Sequence, residues 1–300
     1  MARRKPEIVR DHWRDMTRAA QDDPDQTPEE IRERVERYWP GLTTDPGGVD
    51  YLETEVAGLP ALWAVPKHSP EDRVILSVHG GGGVSGSIYT HRKMFGHLAK
   101  AAGVRALITG YHRTAYPVPV EDTVTAYRGL LDQGFDAGRI ALAGDSLGAG
   151  VSLAAILRAR ELGLPLPAAL MLLSPWVDMT VGEETFDTNR ATEEFFYKEV
   201  VEILAYLYLG GADPKDPLAS PLHADLSGLP PIYIQAGGDE TLLGEARRLA
   251  GNARAAGVDA EIEVFPGQLH TFQMAAGRSK VSDDAIGKLA QWVRPKLHLP

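Results

Sequence analysis

Ser146 lies in Gly144-Asp145-Ser146-Leu147-Gly148, between a short apolar run and a stretch of helical character from Leu147 to Glu161. A serine in G-x-S-x-G that ends a strand and opens a helix sits on a sharp turn, its hydroxyl held above the sheet as a nucleophile. Small neighbours are required because larger side chains collide in such a turn. Residues 139 to 144 have the length and apolar character of a buried parallel strand. Gly148, Ala149 and Gly150 allow the helix to lie close to the sheet, and Val151, Ala154, Ala155 and Leu157 continue an apolar face.

A second motif, His79-Gly80-Gly81-Gly82-Gly83, follows another strand-like run at residues 73 to 78. Four successive glycines leave backbone N–H groups uncovered. Attack of a hydroxyl on an ester carbonyl places negative charge on oxygen, and each preorganised donor aimed there lowers the barrier by about 3 to 4 kcal/mol. With a serine on a strand-to-helix elbow, such donors come from a glycine loop and from the residue after the serine, here Gly81, Gly82 and Leu147. His79, Gly80 and Asp145 are expected to support the loop, His79 as a hydrogen-bond partner rather than a base. A phosphate-cradling loop is the competing reading, but no Gly-Lys-Ser/Thr follows and no G-x-G-x-x-G opens a helix.

A nucleophilic serine needs a base, and nine histidines are available. His270 lies just beyond a strand-like segment at residues 260 to 265, and loops at the carboxyl ends of strands are where open α/β sheets place chemistry. His12, His68 and His298 read as solvated surface residues. His91 and His97 fall in a helix after the glycine loop and could line a pocket entrance; His112 and His223 read only as loop. A carboxylate to orient the base is expected after the strand at residues 231 to 236, where Asp239 and Glu240 compete. Asp239 could equally cap the helix starting near Thr241; Glu240 has the longer reach. In that helix Leu242, Ala246, Leu249, Ala250 and Ala253 share one face, with Glu245, Arg247, Arg248 and Arg254 directed away from it.

Over nearly its whole length the chain resembles the bacterial hormone-sensitive-lipase-like esterases of the α/β-hydrolase superfamily. His79 to Gly82 match the family's H-G-G-G, Gly144 to Ala149 match its G-D-S-A-G-G with Leu147 and Ala149 as substitutions, and Ser174-Pro175-Trp176 match a third segment. The resemblance implies a triad of Ser146, His270 and an acid followed two residues later by Leu. That register selects Glu240, thirty residues before His270, over the alternative Asp239. Tyr111 to Pro117 depart from the family's Tyr-Arg-Leu-Ala-Pro-Glu-His segment, which bears on substrate preference. The implied activity is hydrolysis of short to medium acyl esters through an acyl-enzyme. Lactone hydrolysis by the same triad is the alternative. A lyase or dehydratase, or a small-molecule receptor on the same scaffold, fits less well because Ser146, the glycine loop and His270 are all present. The resemblance also carries an expectation of a homodimer through an exposed edge strand.

Bulk properties set limits around this reading. Three hundred residues suit one hydrolase domain with a cap better than two small domains. A net charge of −10 and a pI near 5.4 argue against nucleic-acid or anionic-membrane binding. The absence of cysteine excludes disulfides and thiolate metal sites, no histidine spacing suggests a metal, and no cofactor is expected. No apolar run of signal-peptide or membrane-span type is seen, so a cytoplasmic address without stable membrane insertion is the expectation.

The elements that must carry these residues alternate. Strands are expected near residues 50 to 56, 61 to 65, 73 to 78, 104 to 108, 139 to 143, 168 to 173, 231 to 236 and 260 to 265, with helices between most of them. This is the mark of a mostly parallel sheet of about eight strands flanked by helices. Residues 1 to 45 read as a separate helical segment, with a capping box at Thr27-Pro28-Glu29-Glu30. Residues 180 to 212 read as a long helical insert rich in Phe195, Phe196, Tyr197, Tyr206 and Tyr208. Both segments are expected to cap a catalytic domain of residues 46 to 300. Asp178 and Glu183, between strand and insert, read as solvated or hydrogen-bonded loop acids.

Overall fold

Apolar runs that end in glycine or a polar turn residue produce the strands, and the computed structural model, which describes residues 8–23 and 27–300, contains all eight expected. They are β1 (Val49–Val56), β2 (Leu59–Pro66), β3 (Val74–Val78), β4 (Arg105–Thr109), β5 (Ile140–Asp145), β6 (Ala169–Leu173), β7 (Ile232–Gly237) and β8 (Ala260–Phe265). Each end falls within two residues of its expected position. They form one sheet in the order β1-β2-β4-β3-β5-β6-β7-β8. β2 runs antiparallel to both β1 and β4, and every other pair is parallel. Every residue of β3, β5 and β6 is buried, which is why these segments are continuously apolar rather than alternating.

Among the described residues nine α-helices accompany the sheet: α1 (Ile8–Asp22), α2 (Pro28–Tyr38), α3 (Ile88–Ala102), α4 (Val118–Asp132), α5 (Leu147–Glu161), α6 (Thr185–Thr188), α7 (Lys198–Leu209), α8 (Leu243–Ala255) and α9 (Lys280–Lys296). Tyr127 of α4, Leu153 of α5 and Leu249 of α8 pack with Leu76 and Leu142 on one face of the sheet. Phe95 of α3 and Leu289 of α9 pack with Ile75 and Ala143 on the other. The sheet is therefore covered on both sides, as parallel strands require, and its carboxyl edge is left as the place for a site. The chain has the α/β-hydrolase fold expected from its sequence. No helix among the described residues is long and apolar enough to cross a membrane.

The capping box at Thr27 forms as expected: the Thr27 side chain accepts from the Glu30 N–H while Glu30 accepts from the Thr27 N–H. The insert differs from expectation. Only Thr185–Thr188 and Lys198–Leu209 are helical within it, and the segment between them is irregular. Its backbone is satisfied instead by a buried side chain, since one oxygen of Glu193 accepts from the N–H groups of Glu194, Phe195 and Phe196. The expected helical insert is interrupted by a loop whose end winds around one carboxylate.

α8 also corrects the sequence reading. Glu245 faces inward, fully buried, and its Oε2 accepts from the N–H groups of Val177 and Asp178 at 2.8 and 3.1 Å. These are peptide groups of the loop that leaves β6, so the acid replaces the ladder partners that a strand would have supplied. Burial pushes the Glu245 carboxyl well above the usual carboxylate range, and the neighbouring charges of Asp178 and Glu183 push the same way.

Candidate active site

Ser146 sits between β5 and α5 with φ of 53° and ψ of −126°, a conformation that side chains rarely adopt. Three close approaches explain the surrounding glycines. A Cβ on Gly144 would lie 2.4 Å from the Gly148 carbonyl oxygen, and one on Gly148 would lie 2.3 Å from that of Val78. A Cβ on Gly150 would meet the Trp176 oxygen at 2.2 Å, so α5 can pack where it does only with glycine there. Backbone bonds fix the elbow, with the Ser146 N–H donating to Leu173 and the Ser146 carbonyl accepting from Trp176.

His270 and Glu240 arrive at this elbow from the loops after β8 and β7. His270 Nε2 lies 2.8 Å from Ser146 Oγ, across 124 residues of sequence, and its Nδ1 lies 3.1 Å from Glu240 Oε2. The second oxygen of Glu240 accepts from the Gly237 N–H at 3.2 Å. Ser146 is 6% exposed, His270 1% and Glu240 0%. Asp239 turns the other way. Its Oδ2 accepts from Arg10 at 2.9 Å, and it does not cap α8, whose N-cap residue is Leu242. The row formed by the structure therefore contains Glu240 and not Asp239.

The glycine loop lies beside the serine, and Gly81 and Gly82 line the same cavity as Ser146 and His270. Gly81 has φ of 120°, and a Cβ there would lie 2.1 Å from the Ser85 carbonyl oxygen. Leu147, the residue after the serine, begins α5. Asp145 accepts from the Gly80 N–H at 3.0 Å through Oδ1 and faces His91 Nε2 at 3.2 Å through Oδ2. Burial alone would raise its pKa, but the charge and hydrogen bond of His91, together with the Gly80 amide, outweigh that and hold the carboxyl below its ordinary value. His79 is fully enclosed, with its ring stacked on Tyr111 at 4.4 Å and its Nδ1 2.8 Å from the Gly80 carbonyl oxygen. Burial and the neighbouring His91 push its pKa down to about 3. The ring is therefore neutral.

Comparison with known proteins agrees with the fold. A family model described as alpha/beta hydrolase fold matches residues 75–274. An acetyl-hydrolase of Streptomyces hygroscopicus is 39% identical over 243 residues, 80% of each chain, and an esterase of Acinetobacter venetianus is 30% identical over 73% of this chain and 74% of its own. A crystal structure of an esterase from the bacterial hormone-sensitive lipase family superposes with a TM-score of 0.92 at 43% identity, covering 99% of this chain and 100% of that one. The chain belongs to the hormone-sensitive-lipase family of α/β hydrolases. It is an ester hydrolase, as its sequence predicts.

In this hormone-sensitive-lipase-family esterase the serine opens into a cavity of about 360 Å³. Trp13, Ile31 and Val35 from the N-terminal helices form one side, and Phe195, Phe196 and Leu204 from the insert form the other. Two of these residues, Trp13 and Phe196, also contact His270. The Trp13 Nε1–H donates to the His270 carbonyl oxygen at 3.1 Å, and the Phe196 ring lies 4.3 Å from the imidazole. The insert likewise holds the acid loop, with Asn189 Nδ2 donating to the Glu240 carbonyl at 2.8 Å and Thr241 donating to that of Phe196 at 2.7 Å.

Three histidines stand apart from their sequence readings. His91 does not line the entrance; it is fully buried behind the elbow against Asp145, with Trp39 edge-on at 5.5 Å. His12 is not a solvated surface residue. It packs edge-on against Trp13 at 4.9 Å, and burial lowers its pKa to about 4. His223 ends a short 3-10 turn and contacts the buried Asp178 at 3.0 Å. His97 contacts the Thr44 carbonyl, while His68 and His298 are exposed as expected. The one available signal for His91 was its place on the apolar, inward side of α3, alongside Met94, Phe95 and Leu98.

Proposed function

We propose that Ser146, His270 and Glu240 form the catalytic triad and that the N–H groups of Gly81, Gly82 and Leu147 form the oxyanion hole. His270 takes the Ser146 proton as Oγ attacks the ester carbonyl, Glu240 holds the imidazole tautomer and favours the imidazolium, and the glycine-loop amides receive the charge on oxygen. The alcohol departs with the proton from His270, leaving an acyl-enzyme. Water, deprotonated by His270, then releases the acid. The observation carrying this reading is the unbroken row from Oγ to Nε2 to Nδ1 to Oε2 at 2.8 and 3.1 Å, facing an apolar cavity.

The substrates we infer are linear esters of short to medium acyl length. The cavity of about 360 Å³ stands near the lower end of small-molecule sites, which span about 300 to 1,000 Å³. Crystals of the solved relative EstE5, 34% identical over 98% of this chain, were soaked with p-nitrophenyl butyrate. The relatives' names support linear esters over lactones. Residues 8 to 23 and 27 to 45, together with 180 to 212, act as a two-part cap whose aromatic side chains exclude water from the acyl group. A panel of p-nitrophenyl esters from acetate to decanoate tests this. The expected result is highest kcat/KM between acetate and hexanoate and a fall beyond octanoate; a maximum at decanoate, or no turnover of any member, overturns the substrate class.

A further inference from the structure

The donors assigned above are peptide N–H groups, and a peptide N–H is aimed only as well as its plane is fixed. A trans peptide bond makes the C=O of one residue and the N–H of the next point in opposite directions. The direction of the Gly81 N–H is therefore set by whatever holds the Gly80 carbonyl, and that of the Gly82 N–H by whatever holds the Gly81 carbonyl.

The Gly81 carbonyl is held by its own loop. It accepts from the N–H groups of Ser85 and Val84 at 2.9 and 3.2 Å and from the Ser85 hydroxyl at 3.0 Å. The Gly80 carbonyl is held differently, by the His79 ring at 2.8 Å. A carbonyl only accepts, so His79 carries its proton on Nδ1. The ring cannot swing, because it is stacked on Tyr111, whose hydroxyl donates to the His79 carbonyl at 3.0 Å. The Gly80 N–H, at the other end of the same residue, is held by Asp145 Oδ1, and Asp145 is oriented in turn by His91. Asp145 accepts only, so His91 presents a proton on Nε2. The other ring nitrogen of His91, Nδ1, lies 2.8 Å from the Thr90 hydroxyl oxygen.

We propose that His79 and His91 are positioning residues for ester hydrolysis: His79 aims the Gly81 amide through the Gly80 carbonyl, and His91 steadies the same glycine through Asp145. Neither ring contacts the reacting atoms. The inference rests on the assignment of Gly81 as an oxyanion donor and deepens it, because it says why this loop needs a histidine at its start and a second one fifty-four residues before the elbow's acid. A displaced donor costs rate without costing ground-state binding, since the charge it serves appears only in the transition state.

His79→Leu and His91→Leu remove the two donors, while His79→Asn and His91→Gln keep a donor near Nδ1 and Nε2 respectively. Kinetics on p-nitrophenyl butyrate, normalised to sites titrated with a fluorophosphonate, are read beside inhibition by a trifluoromethyl ketone, which forms an oxyanion with the serine, and by the corresponding alcohol, which does not. The Leu variants are expected to lose about tenfold or more in kcat with KM within about threefold. Ketone affinity should fall by the same factor, alcohol affinity should stay unchanged, and the Asn and Gln variants should recover most of the loss. Unchanged kcat in the Leu variants, unchanged ketone affinity, or donor-keeping variants no better than Leu would overturn the proposal. Should a Leu variant fail to fold, the isosteric Asp145→Asn carries the test: its amide keeps an acceptor for Gly80 but loses the charged one for His91, and the same kcat and ketone signature is expected. Failure of the wild-type enzyme to turn over the ester would count against the triad reading instead, so the two failures are distinct.

Discussion

Among the described residues two histidine–carboxylate pairs are fully buried, and each continues to a hydroxyl. In one, Glu240 Oε2 meets His270 at 3.1 Å and the other ring nitrogen meets Ser146 Oγ at 2.8 Å. In the other, Asp145 Oδ2 meets His91 at 3.2 Å and the other ring nitrogen meets Thr90 Oγ1 at 2.8 Å. By distance alone they are equivalent. They differ in where the hydroxyl stands. Ser146 projects from a left-handed elbow into the cavity, beside Gly81 and Gly82. Thr90 lies in the first turn of α3, buried, and its hydroxyl is within 2.9 Å of the Ser87 carbonyl. A hydroxyl–imidazole–carboxylate row is thus a common way to satisfy buried polar groups, and access to a substrate beside unclaimed charge is what turns one row into chemistry.

Removing the two hydroxyls tests that contrast most severely. Ser146→Ala is expected to lower kcat on p-nitrophenyl butyrate by about 10⁵-fold or more, the scale at which a missing serine nucleophile acts. Thr90→Val should lower it less than tenfold and act mainly on stability, as loss of a helix cap of about 1 kcal/mol. Comparable losses in the two would erase the distinction. The acids give the next largest effect. Glu240→Ala is expected to cost about 10⁴-fold in kcat, as removal of an imidazole-orienting carboxylate does, whereas Asp239→Ala breaks only the ion pair with the Arg10 side chain and should stay within a few-fold. The reverse order would transfer the role to Asp239.

Smaller effects sharpen the comparison at its margins. Trp13→Phe keeps a ring packed on Phe196 but deletes the donor to the His270 carbonyl, so kcat should fall several-fold with little change in folding. An unchanged kcat would mean that the N-terminal helices only cover the site. Glu245 supplies a carboxylate with no histidine at all. Its pKa is raised in the folded state, so between its ordinary value of 4.5 and that raised value the unfolded chain has lost a proton that the native chain keeps. Stability must therefore fall as pH rises through this window. Glu245→Gln keeps an acceptor for Val177 and Asp178 without the ionisation. The Tm of the variant relative to wild type should climb from pH 5 to pH 8, and a constant difference would contradict the assignment.

What the sequence revealed divides along the same line. The strands were legible because their apolar runs stop at glycines and turn residues, and the elbow because only Gly144 and Gly148 fit against the carbonyls they face. His270 was legible from its place after a strand. The choice between Asp239 and Glu240 needed the resemblance to a family, since adjacent acids on one loop differ only in which way the chain turns, and Arg10, 229 residues away, fixes that turn. Glu245 and His12 were misread as solvent-facing, and His91 as lining a pocket entrance, because what a polar residue on a helix packs against depends on side chains such as Trp39 that the helix pattern does not show. The irregular course of residues 189 to 197 was hidden in the same way, because a single buried carboxylate on Glu193 replaces the helical bonds that the composition suggested.

The central claim is that Ser146 alone, of the hydroxyls held by buried histidines, is an activated nucleophile. Labelling the folded protein with a fluorophosphonate and mapping the adduct by mass spectrometry tests it directly. One adduct per chain, on Ser146, formed at a rate that collapses in His270→Ala, is the result this account predicts. An adduct on Thr90 or any other residue, or none on Ser146 in protein that hydrolyses p-nitrophenyl butyrate, would contradict it.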